Sequence, residues 1–169
     1  MPEIRRSIAV SILFLVLGPP GMVLIYLPLW ITRFRIPRDG SLWETLLGAA
    51  LIFAGLAPAL ESMRRFIYVG RGTLMPAVPT ERLVVSGLYR FVRNPMYVGV
   101  LVTLAGEAVL FRSLSMTIYI PLVWLGLHLF VLLYEEPTLM SRYPVDYPSY
   151  KRHVPRWLPR FTPWQGSEN

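Results

Sequence analysis

The sequence predicts an all-α, polytopic membrane protein. It has about four transmembrane helices, the first kinked and the last two forming a hairpin, followed by an interfacial C-terminal segment. Three observations carry this expectation. Apolar residues make up 54% of the 169 and charged residues only 16%, too few to coat a water-facing surface. The apolar residues fall into four runs, at 7–30, 42–60, 95–111 and 114–134. The net charge of +7 sits mostly between those runs, which fits headgroup contact and topology rather than nucleic-acid binding. This length has room for one domain. The absence of cysteine excludes disulfides, thiolate metal sites, cysteine nucleophiles and cysteine lipidation.

The first run, Ser7 to Trp30, is 24 residues long, enough to cross ~30 Å of hydrocarbon at 1.5 Å per residue. Gly18-Pro19-Pro20-Gly21 interrupts it and removes two backbone donors, so the expectation is one kinked span, with a re-entrant pair of half-helices as the alternative. Thr32 to Ser41 is a short basic turn. The second run carries Gly48 and Gly55, seven residues apart and so near one helix face, where small residues let helices approach closely in lipid. Residues 61–94 form a polar connector; Glu61 and Arg64/Arg65 have helical pair spacing, so the helix is expected to run on past the membrane. Gly70-Arg71-Gly72, before Pro76 and Pro79, reads as loop and is a candidate backbone contact for an anionic cofactor group.

The third run is short for a full span. Arg112-Ser113 joins it to the fourth, so the two helices must be antiparallel neighbours. The start of the third helix and the end of the fourth then meet at one membrane face. The tail, 137–169, is basic and aromatic and is expected to lie on the headgroups. Thirteen of the seventeen Lys and Arg residues fall in the N-terminus, the connector and the tail. The positive-inside rule therefore predicts cytoplasmic termini and a cytoplasmic site.

The chemistry concentrates where those helix ends meet. Leu83 to Gly99 reads LVVSGLYRFVRNPMYVG. Asn94 suits an N-cap and Pro95 the first helical position, and the free N–H groups there favour an anion. Arg93 beside them can grip a carboxylate with two parallel hydrogen bonds, or hold a lipid phosphate. Across the hairpin, Glu135 and Glu136 are two adjacent carboxylates expected at a helix C-terminus, where the dipole already disfavours negative charge. They call for a cation, either an internal arginine such as Arg90 or Arg93 or a bound one. Facing anion and cation sites suit a zwitterionic amino-acid group. S-adenosylmethionine has one, plus a sulfonium that the faces of Tyr89 or Tyr97 could contact.

His128 shares a helix face with Trp124 and Glu135 and is either a catalytic candidate or a hydrogen-bonded packing residue. Glu107 is expected to reach toward Arg112, away from the site. No metal cluster or Ser-His-Asp pattern is present in the sequence.

LVVSGLYRFVRNPMYVG, then LLYEEPTLMSRY, then a Tyr-rich stretch ending VPRWLP, resembles the isoprenylcysteine carboxyl methyltransferase and phospholipid methyltransferase superfamily over residues 72–160. The resemblance implies S-adenosylmethionine-dependent methyl transfer to a lipophilic or membrane-associated acceptor. It implies a cofactor site built from Arg93, Pro95, Tyr97, Gly99, Glu135 and Glu136, to which the reading of the residues adds Tyr89 and Asn94. Arg93, Tyr97, Glu136 and His128 are the catalytic candidates. Asn94 stands where the isoprenylcysteine branch usually has His, and Asn-Pro-Met-Tyr matches the phospholipid branch. Two other classes stay open: an NADPH-dependent reductase of sterol-reductase type, whose cofactor phosphate could use Arg142, Lys151 and Arg152, and a non-enzymatic membrane protein.

Overall fold

The structure, a computed structural model, describes residues 2–35, 37, 41–69 and 82–166, without the side chains of 2–5. The Gly70-Arg71-Gly72 motif lies outside the described residues. Helices dominate the described residues, with no strand among them. We label the main helices α1 (Arg6–Ile31), α2 (Leu42–Tyr68), α3 (Pro95–Leu110), α4 (Leu114–Arg142) and α5 (Asp146–His153). α1, α2 and α4 are each long and apolar enough to cross a membrane, and α3 is a shorter apolar helix.

Two prolines shape α1 and α4 in the same way. α1 breaks at Gly18, whose extended backbone precedes Pro19. It then widens into a π-turn at Met22–Tyr26, closed by Leu27 N–H to Met22 O, directly before Pro28. α4 widens at Val131–Glu135, closed by Glu136 N–H to Val131 O, directly before Pro137. A proline has no N–H and crowds the carbonyl of the preceding turn. One wider turn absorbs that defect without ending the helix. The first run is therefore one kinked helical stretch. The fourth does not stop at Tyr134 but continues to Arg142, so Glu135 and Glu136 lie inside a helix rather than at its C-terminus.

α2 starts at a capping box between Ser41 and Glu44 and runs on to Tyr68. It packs antiparallel to α3 along a seam of glycines. A Cβ on Gly55 would collide with Thr103 and the Gly99 carbonyl, and one on Gly106 with the Gly48 carbonyl. The two backbones touch there, which only small residues permit. Gly99 thus forms part of the seam. α1 covers the far side of the hairpin: Val23, Leu24 and Ile31 pack against Val100, Leu104 and Met116. At the Arg112-Ser113 turn, Arg112 pairs with Glu44 of α2 (3.2 Å), while Glu107 Oε2 is buried without a partner among the described residues.

The tail does more than rest on headgroups. Tyr143, Tyr147, Tyr150 and Val154 form a second buried cluster against Leu83, Val85 and Leu139. Beyond α5 the chain straps back over residues 90–93: Arg93 N–H donates to Pro155 O (2.9 Å), Arg160 N–H to Phe91 O (3.0 Å) and Trp164 N–H to Arg90 O (2.9 Å). Arg90 Nε returns a bond to Trp164 O (2.7 Å).

Candidate functional site

The end of α2, the 83–94 segment, the π-turn of α4 and α5 enclose one cavity. Phe66, Val84, Tyr89, Arg93, Asn94, Glu135, Glu136, Tyr147 and Tyr150 are among the residues that line it. Its volume is ≈60 Å³, room for about four to six water molecules or the amino-acid end of a larger ligand. The hairpin delivers Arg93 and the glutamates to one face, as the turn length requires.

The two glutamates have different surroundings. In a regular helix, neighbours diverge by about 100°, yet both glutamates line the cavity beside the π-turn. Glu136 is almost fully buried and neutralised by three cations: Arg93 Nη1 (2.9 Å), Arg156 Nε (2.7 Å) and Lys151 Nζ (2.7 Å). Its partner is thus internal. Glu135 accepts a hydrogen bond from Tyr97 (3.0 Å) and, among the described residues, from no other group. Arg93 has a side chain only 10% exposed and uses Nη1 on Glu136 and, at 3.4 Å, on Tyr147. Its Nε is buried without a partner among the described residues.

Aromatic hydroxyls close the wall. Tyr150 donates to Tyr89 O (2.8 Å) from a buried position. Burial pushes the Tyr89 and Tyr150 phenols above their ordinary range, so both stay neutral donors. The hydrogen bond to Glu136 raises Arg156 further and keeps its charge fixed. Gly87 takes φ 59°, a left-handed conformation suited to glycine, and a Cβ there would meet the Arg65 guanidinium. That contact, with Arg65 Nη1 to Ser86 Oγ (2.6 Å), fixes the segment bearing Tyr89 against α2.

The other expected residues take different places around the cavity. Asn94 lines the cavity but does not cap α3; its Nδ2 donates to Arg156 O (3.2 Å), because the strap presents a carbonyl where the first turn would otherwise claim the side chain. Pro95 occupies the first turn of α3 as expected, buried behind Asn94. Tyr97 stands behind Glu135 rather than on the cavity wall. His128 is not on the wall either. It stacks on Trp124 at 5.2 Å and accepts from Trp157 Nε1 (3.0 Å), so the packing alternative describes it. The sequence reading missed Tyr147, Tyr150 and Arg156 and gave Lys151 only to the reductase alternative; all four come from the tail. Their signal was the apolar and aromatic spacing of Tyr143, Tyr147, Tyr150 and Val154, one stripe of a helix.

Fold and cavity define the class: a polytopic helical membrane protein with a charged, aromatic-walled cavity at one end of its bundle. A family model for phospholipid methyltransferase matches residues 43–146, more than half of the chain. The chain belongs to the phospholipid methyltransferase family, and is thereby a membrane methyltransferase. No curated protein and no solved structure matches it. The match ends at Asp146, so Lys151, Arg156 and the strap lie beyond it.

Proposed function

We propose that this chain transfers a methyl group from S-adenosylmethionine to a lipophilic or membrane-associated acceptor at the cytoplasmic face. One observation supports this most. Among the described residues, a nine-tenths-buried arginine whose Nε has no partner and a carboxylate whose one hydrogen bond comes from a tyrosine line one small cavity. Those are complementary demands for an anion and a cation, which an α-amino acid group meets together. The donor set therefore fits S-adenosylmethionine. When bound, this cofactor supplies an electrophilic methyl group on a sulfonium.

Arg93 would bind the carboxylate through its guanidinium, whose Nη1 is held in place by Glu136. Glu135 would accept from the ammonium, oriented from behind by Tyr97. The rings of Phe66, Tyr89, Tyr147 and Tyr150 would shield the bound group from water. Glu136, whose oxygens are engaged by three cations, is assigned a positioning role rather than that of a base. Alignment and dehydration suffice for a carboxylate acceptor, whereas an amine or thiol must also lose a proton. The cytoplasmic placement rests on the thirteen of seventeen basic residues at this end and in the termini.

The test incubates membranes containing the protein with methyl-labelled S-adenosylmethionine. Label entering lipid or a membrane-bound acceptor supports the proposal. Oxidation of NADPH without methyl transfer would refute it.

A further inference from the structure

Three large apolar groups stand out on the strap that follows α5. Trp157 turns back along α4, while Leu158 is 80% exposed and Phe161 wholly exposed. The segment is not loose, since Arg93, Phe91 and Arg90 anchor its backbone at Pro155, Arg160 and Trp164. A fixed loop presenting bare leucine and phenylalanine side chains to water is unfavourable. We infer that residues 155–161 are seated in the bilayer, at the boundary of headgroups and acyl chains, with Leu158 and Phe161 against phospholipid chains.

Depth is the first support. Trp157 Nε1 bonds to His128, and its ring lies 6.2 Å from that of Trp124. His128 is seven residues before Glu135 on a helix that crosses the membrane, so the indole reaches a level ~10 Å further in than the cavity's glutamates. That matches the depth to which interfacial segments bury their apolar faces. Continuity is the second. Trp124, Leu125 and Leu129 of α4 are exposed large apolar residues on a spanning helix, and Trp157, packed against Trp124, joins the loop to that surface. Charge is the third: Arg152 on α5 is exposed beside the loop and suits anionic headgroups at the phosphate level. Arg156, one residue before Trp157, binds Glu136, so lipid contact and cavity wall share one short strap.

The chain has no cysteine, so Leu158→Cys and Phe161→Cys each give a single labelling site. The full-length variants, carrying a polarity-sensitive fluorophore, are reconstituted into phosphatidylcholine–phosphatidylglycerol vesicles. Circular dichroism identifies the folded preparations, and either position alone gives a reading. The inference expects blue-shifted emission, quenched on the order of twofold more by lipid brominated near the headgroup than by aqueous iodide. Emission typical of water, quenched by iodide and indifferent to brominated lipid, would overturn it. So would protection from both quenchers, which would mean that a protein surface covers the loop.

Discussion

Arg93 and Glu136, 43 residues apart, meet at 2.9 Å in a site where both side chains are nine-tenths or more buried. Their meeting fixes the register of the hairpin against the connector. It also places Arg93 and Glu135 on one cavity wall.

Removing the charge of Glu136 leaves three cations without their common partner. Glu136→Gln is expected to destabilise the protein by about 3–5 kcal/mol, the cost of breaking a buried ion pair. Lys151→Gln, at a side chain 39% exposed, is expected to cost about 0–1 kcal/mol. Denaturant unfolding in detergent measures both. Equal losses would contradict the buried-hub reading of Glu136.

Tyr97 should act through Glu135. Tyr97→Phe deletes one hydrogen bond, worth about 1 kcal/mol, and is expected to weaken cofactor affinity about fivefold. Glu135→Gln should weaken it more, because the charge facing the ammonium is lost. A Tyr97→Phe protein with a larger defect than Glu135→Gln would contradict this order.

How much of this was legible in the sequence follows from what fixes each feature. Two residues between apolar runs leave no choice but a hairpin, so the meeting of Arg93 with the glutamates was readable. So was the Gly48/Gly55 seam, because small residues at heptad spacing share one helix face and let another helix approach closely in lipid. The continuation of α4 through Pro137 was not, because a π-turn has no sequence period and proline usually signals a stop. Without that turn, the facing of Glu135 and Glu136 could not be assigned. The tail's part in the cavity was not readable either, because its tyrosine stripe is short.

His128 tests the distinction between packing and chemistry. His128→Phe is expected to keep methyl transfer within about twofold while lowering stability by about 1 kcal/mol through the lost Trp157 bond. Turnover and thermal unfolding, measured on the same preparation, decide it. A loss of turnover of a hundredfold or so, the scale of general acid–base catalysis, would restore the histidine as a catalytic group.

The helix seam should be intolerant of volume. Gly55→Val would force α2 and α3 apart at Thr103 and Gly99, at a cost of about 1–3 kcal/mol. Gly126, with open space around its Cα, should accept alanine with little change. Thermal unfolding of the two variants checks the contrast.

The central claim is that Arg93 and Glu135 together grip an amino-acid group. Isothermal titration of the detergent-solubilised protein with S-adenosylhomocysteine tests it most directly, with NADPH as the comparison ligand. The account predicts saturable binding of S-adenosylhomocysteine alone, weakened at least tenfold (about 1.4 kcal/mol) in both Arg93→Gln and Glu135→Gln. Undiminished binding in the folded variants, or binding of NADPH instead, would contradict it.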